Sequence, residues 1–318
     1  MSTSPRYDAE LQKFLNDHPE IDRTSLTSEK IAPLREAFVS LGVEGLTAGR
    51  KIEAVGWSAT ARDGQKLAMT TIKKTGSTNP RAALFHIHSG GMIAGDRFIG
   101  MDMIADWVEE YDLIATTVEY RLAPEHQAPI PSNDCYDALV DFSKQIDSSI
   151  PLIIIGMSAG GGLSAGVSLM ARDLGGPKLS GSLLMCPMLD STNSSTSSHQ
   201  FQNLGLWDRK SNDTGWNAYL GDKRNTDAVT AYASPSRAKD LSGLPPTFLD
   251  TGTLEVFRSE IIEYAERLAA SDVPVELHMW SGAFHGFDLS YPDAAVSKLA
   301  LNARKMWLER LLKGHMDD

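Results

Sequence analysis

Six short apolar runs punctuate the chain: AALFHIH at 82–88, LIATTVEY at 113–120, PLIIIG at 151–156, SLLMCP at 182–187, PTFLD at 246–250 and PVELHMW at 274–280. Helical patterns fill the intervals near 98–110, 132–146, 158–173, 258–271 and 292–313. A strand that is apolar on both sides needs cover on both sides, and a helix between successive strands supplies it. The alternation therefore predicts an α/β fold, a mostly parallel sheet flanked by helices. Two more extended segments over 51–74, joined by Arg62-Asp63-Gly64-Gln65, read as a hairpin and bring the strands to eight. Residues 5 to 45 read as a helical preface, with Leu11, Phe14, Leu15 and then Leu34, Phe38, Leu41 at helical spacing and Gly42 as a stop. One interval breaks the rhythm. Residues 190 to 240 hold the polar run STNSSTSS and then LWDRKSNDTGWNAYLGD, more than a crossover helix needs, and read as an insertion.

Charge narrows the partners. A formal net charge of -11 and a pI near 5.2 repel phosphate backbones and anionic lipid, which argues against nucleic acid and membrane surfaces. No apolar stretch is long enough for stable membrane insertion. The start, MSTSPRYDAELQKF, has no apolar h-region, and two cysteines make no disulfide framework. A reducing, cytoplasmic setting and a small-molecule partner are expected; homodimerisation stays open.

The chemistry is carried by short motifs. GMSAG at 156–160 follows the run PLIIIG and opens the helical run GGLSAGVSLMARD, the strand–turn–helix context of a nucleophile elbow. Small residues flank Ser158 because a strained turn that pushes the hydroxyl outward leaves no room for bulk. HSGG at 88–91 ends an earlier strand; the amides of Gly90 and Gly91, with that of Ala159, are the expected donors to a developing oxyanion. His86 and His88 share a strand face, but no Cys, Asp or third His nearby completes a metal site, so no metal is expected there. GAFHGF at 282–287 sets His285 late in the chain, where a neutral imidazole could take the proton from Ser158 and return it to the leaving alcohol. Two carboxylates compete to orient that imidazole: Asp250 at the end of PPTFLD, and Glu255 beyond TGTL. Glu255 is favoured because a triad acid should lie past the strand, within reach of the next loop.

From about residue 50 onward these motifs together resemble the hormone-sensitive-lipase-like branch of the α/β hydrolases. They are HSGG in place of that branch's H-G-G-G, EYRLAPEH at 119–126, the GMSAGG elbow, YASPSRAKDLSGLPP at 232–246, EVFRSE at 255–260 and FHGF around the histidine. The resemblance implies a carboxylic ester hydrolase without cofactor, acting on an ester of short to medium acyl length or a lactone. The spacing after Leu-Pro-Pro again selects Glu255, and Tyr120, Arg121 and Glu125 become buttresses of the oxyanion loop. It also implies a helical cap built from 1–48 and from the insertion 190–235, over a catalytic core of 49–189 and 236–318. Met92, Ile93, Phe98, Leu206, Trp207, Trp216, Phe257, Phe284 and Phe287 are then expected on the substrate-pocket wall. Three positions depart from the branch's usual pattern: Ser89 stands for glycine, Met157 for the frequent acidic elbow residue and Glu255 for aspartate. The same residues would serve a biosynthetic tailoring enzyme that transfers or cyclises acyl groups. A binding-only role, as in the plant gibberellin receptors of this branch, is disfavoured because those lack the histidine.

Overall fold

The computed structural model describes residues 6–19, 21, 25–203 and 205–314. The leader reading at 1–5, parts of the helical preface (5, 20 and 22–24), residue 204 of the insertion and the last four residues of the C-terminal core part lie outside them.

Eight strands form one sheet: β1 Ile52–Thr60, β2 Lys66–Lys74, β3 Ala83–Ile87, β4 Ile114–Val118, β5 Leu152–Met157, β6 Gly181–Met185, β7 Thr247–Leu254 and β8 Val275–Phe284. Their order is β1-β2-β4-β3-β5-β6-β7-β8. The hairpin β1–β2 joins β4 antiparallel, and every other pairing is parallel. Eleven α-helices lie among the described residues: α1 Ala9–Asp17, α2 Ile31–Ala37, α3 Gly42–Thr47, α4 Met101–Tyr111, α5 Ile130–Ser143, α6 Ala159–Asp173, α7 Thr196–Gln200, α8 Arg209–Leu220, α9 Arg258–Ala270, α10 Phe287–Ser290 and α11 Ala295–Leu312.

The two-residue period of the strands divides the core between the sheet faces. Phe85 and Ile154 enter a cluster with Leu139 and Phe142 of α5, Leu163 and Val167 of α6, and Ile261 and Leu268 of α9. Their neighbours Leu84, Ile153 and Ile155 enter another with Ile104 and Trp107 of α4 and Trp307 and Leu308 of α11.

The insertion carries α7 and α8. Its contact with the N-terminal part runs through 25–26: Leu26 N donates to Ser211 Oγ, Thr214 Oγ1 to Leu26 O and Ser25 Oγ to Asp208 Oδ2. Helix α1 sets its Leu11 and Leu15 against Phe284, Phe287 and Ala300, in a cluster that Leu206 of the insertion also joins. β7 and β8 run further than the apolar runs 246–250 and 274–280 predict. Their ladder continues through an irregularity at Gly252/Leu254, where a Cβ on Gly252 would lie 2.2 Å from Ala283 O. This extension brings Glu255 and His285 to adjacent strand ends. No helix among the described residues is long and apolar enough to cross a membrane.

Candidate active site

β5 delivers the chain into a turn at Ser158 with φ 55° and ψ -121°, and α6 starts at the next residue. Positive φ at a non-glycine residue is strained by about 1–3 kcal/mol. The turn is held because Ser158 N donates to Met185 O, while Ser158 O accepts from Gly162 N and Met188 N. The flanking glycines are required by contact with backbone. A Cβ on Gly156 would lie 2.2 Å from Gly160 O, and one on Gly160 would lie 2.1 Å from Ile87 O.

His285 Nε2 lies 2.9 Å from Ser158 Oγ. On the other side of the ring, Nδ1 faces Glu255 Oε1 at 3.4 Å, and Glu255 Oε2 accepts from Gly252 N at 3.0 Å. Phe257 sets its ring edge-on to the imidazole, 5.1 Å between centroids. Asp250 is occupied elsewhere. Its Oδ2 accepts from Arg304 Nε at 2.8 Å and Trp280 Nε1 at 3.2 Å, and its Oδ1 from Cys186 N at 3.4 Å. Burial raises the Asp250 carboxyl above its ordinary range against the opposing pull of Arg304.

Gly90 (φ 118°), Gly91 (φ 65°) and Met92 (φ 64°) form a left-handed loop beside the elbow. A side chain on Gly91 would meet the Trp207 ring at 2.5 Å. The amides of Gly90, Gly91 and Ala159 have no hydrogen-bond partner among the described residues. The loop is braced from three directions. His88 Nδ1 bonds Ser89 O at 2.8 Å, Tyr120 OH donates to His88 O at 3.1 Å, and the Tyr120 ring stacks on His88 at 4.1 Å. Arg121 is held by Asp134 and Asp63, and Glu125 by Arg35. Arg35 also donates to Ile93 O and Ala123 O, a clamp on the oxyanion loop that reading the sequence missed. His86 Nδ1 bonds Thr117 Oγ1 at 2.9 Å, and burial lowers the His86 pKa to about 3.

A cavity of about 230 Å³ opens over Ser158, its walls including Leu34, Phe38, Met157, Leu206, Trp207 and Leu289. Of the residues expected on a pocket wall, Leu206 and Trp207 line this cavity. Met92, Ile93, Trp216, Phe257, Phe284 and Phe287 are instead packed into the core clusters, and Phe98 packs beside the α4 and α11 face. Their side chains are taken up by core packing and do not line the cavity. Met157 and Leu289 also line a second cavity of about 580 Å³ between α4 and α11.

A family model described as the alpha/beta hydrolase fold matches residues 84–289. The chain belongs to the α/β-hydrolase family. Within it, the chain falls in the hormone-sensitive-lipase-like branch, with relatives named as esterases. Esterase LipI of Mycobacterium tuberculosis is 31% identical over 64% of this chain and 65% of its own length. Carboxylic ester hydrolase LipN of the same organism is 32% identical over 72% of this chain and 64% of its own length. The matched region thus spans slightly less than two thirds of the length of these curated relatives. The solved structure of a bacterial heroin esterase superposes with a TM-score of 0.87 at 34% identity, covering 96% of this chain and 98% of that one. Esterase LipW of Mycobacterium marinum superposes with a TM-score of 0.85 at 25% identity, covering 96% of each chain.

Proposed function

We propose that this α/β hydrolase is a carboxylic ester hydrolase that works through an acyl-enzyme on Ser158. The observation that carries this reading is the 2.9 Å approach of His285 Nε2 to Ser158 Oγ on a strained elbow. In the mechanism His285 takes the hydroxyl proton as Ser158 attacks the carbonyl. Glu255 faces Nδ1, keeps the ring in the tautomer with a free Nε2 lone pair and stabilises the imidazolium. The amides of Gly90, Gly91 and Ala159 receive the oxyanion. His285 then protonates the leaving alcohol, and water activated by the same ring clears the acyl group.

An open cavity of about 230 Å³ is small beside the roughly 300–1,000 Å³ of ordinary ligand clefts, which supports short acyl groups or a compact lactone. The esterase names of the relatives support hydrolysis over acyl transfer. Cys135 and Cys186, both buried and free, support a reducing, cytoplasmic setting. Reaction with an organophosphonate followed by peptide mass spectrometry tests the nucleophile. The expected adduct is on Ser158, and an adduct on another residue refutes the assignment.

A further inference from the structure

We propose that Cys186, Glu255 and His285 form an inhibitory site for a thiophilic divalent cation of the zinc type. The proposal rests on the reading of Ser158 and His285 as nucleophile and base. The three side chains offer one sulfur, one carboxylate oxygen and one ring nitrogen, all within 4.8 Å of one another. This mixed donor set suits zinc, which binds thiolate at about 2.3 Å and imidazole or carboxylate at about 2.0–2.2 Å.

The spacing between two of the donors already fits. The 3.4 Å between His285 Nδ1 and Glu255 Oε1 is long for an N–H···O bond, whose usual length is about 2.9–3.0 Å. It matches the edge of a tetrahedron with ligands at about 2.0–2.1 Å, roughly 3.3–3.4 Å. Closing on the sulfur to an edge of about 3.5 Å asks for at most a modest side-chain rotation. Cys186 Sγ makes no hydrogen bond among the described residues, and the backbone there is itself unusual, with φ 36°. Its amide is pinned by Asp250 O at 3.0 Å. His285 is half-buried and lines the catalytic cavity, while Cys186 and Glu255 are buried behind it, so a cation reaches the three donors past the His285 ring.

Inhibition follows from proton placement. A neutral imidazole has one N–H and one lone pair. In the resting triad the proton sits on Nδ1 toward Glu255, and the Nε2 lone pair faces Ser158. A cation on Nδ1 needs a lone pair there, so the proton leaves Nδ1 and the neutral ring carries it on Nε2, which can no longer accept the serine proton. Cys186 releases its thiol proton to solvent, and thiolate plus carboxylate then balance the two positive charges.

The test has two arms. Zinc is titrated into p-nitrophenyl acetate hydrolysis by the native chain, by Cys186→Ala and by Cys186→Ser. Native activity is expected to fall at micromolar zinc and to return with EDTA. Cys186→Ala should keep its zinc-free kcat within a few-fold and need on the order of tenfold or more zinc for the same inhibition, since even an outer-shell change costs metal sites 10–100-fold. Cys186→Ser covers the case in which the alanine variant misfolds. Independently of turnover, cobalt is added to Ser158→Ala, with a near-ultraviolet thiolate-to-cobalt band expected that Cys186→Ala in the same background abolishes. Equal zinc sensitivity of native and Cys186 variants, or no thiolate band, overturns the site. An inactive chain that still shows the band overturns the hydrolase reading and leaves the site standing.

Discussion

The choice between Glu255 and Asp250 as partner of His285 can be decided by two isosteric substitutions with opposite signatures. Glu255→Gln keeps an oxygen for the Gly252 amide but turns an NH₂ group toward His285 Nδ1, favouring the tautomer whose proton lies on Nε2. The expected loss in kcat is about 10⁴-fold, the size seen when a triad carboxylate becomes an amide, with little change in melting temperature. Asp250→Asn should do the reverse. It weakens a charge-assisted bond to the buried Arg304, worth about 1.5–3 kcal/mol. Arg304 keeps Asp288 as partner, so the penalty of about 3–5 kcal/mol for a stranded buried charge does not apply. Unfolding entropy of about 2.1 cal/mol/K per residue over 318 residues is roughly 0.7 kcal/mol/K, so this converts to a fall of about 2–5 °C in Tm. Its kcat should stay within tenfold of native. Steady-state hydrolysis of p-nitrophenyl acetate and thermal melts on the same preparations measure both quantities. If Asp250→Asn loses about 10⁴-fold in kcat while Glu255→Gln stays within tenfold, the reasoning is refuted.

Gly160→Ala should cost about 1–3 kcal/mol through overpacking and lower kcat by about 10²–10³-fold, because its Cβ would meet Ile87 O at 2.1 Å and His88 O at 2.6 Å, the backbone leading into the oxyanion loop; native-like kcat would show that this contact does not matter. His86 supplies a pH dependence. Its folded pKa is lowered to about 3 by burial, so below its ordinary value of about 6.5 the unfolded chain binds a proton that the folded one refuses. Stability is then whole above about pH 6.5 and falls toward pH 3 by up to about 1.4 kcal/mol per pH unit. Urea midpoints at neutral pH and near pH 4.5 should show a smaller acid loss in His86→Gln than in the native chain, and an equal loss counts against the idea. Met157→Ala should join the cavities of about 230 and 580 Å³ and raise kcat/KM for octanoate relative to acetate esters by on the order of tenfold, the equivalent of about two newly buried methylenes. An unchanged ratio would mean that Met157 is not the dividing wall.

Much of the architecture is legible in local pattern. Apolar runs separated by amphipathic stretches can bury both strand faces only as a layered α/β sheet, and the runs at 82–88 and 151–156 coincide with β3 and β5. The elbow is legible partly for the same reason: Gly156 answers to Gly160 O four residues on, whereas Gly160 answers to Ile87 O at the end of β3. Serine, acid and histidine could be ordered along the chain without knowing how far apart they fold.

What stayed hidden depends on partners distant in the chain. Arg35 acts on Ile93 and Ala123 from another segment, and no periodicity announces such a pairing. The aromatic residues beside the motifs looked like pocket walls, but Phe284 and Phe287 pack against Leu11 and Leu15, a neighbour set that only helix docking defines. Asp250 and Glu255 are both buried carboxylates near the end of β7. Arg304, reaching in from α11, occupies the first and leaves the second facing His285. From local pattern alone, then, the sequence determined the layers, the elbow and the order of the reacting groups, because those follow from side-chain period and from sterics between near neighbours. The tertiary structure decided which carboxylate faces the imidazole and which side chains bound the cavity, because a buried charge takes its role from whatever oppositely charged group the fold brings beside it.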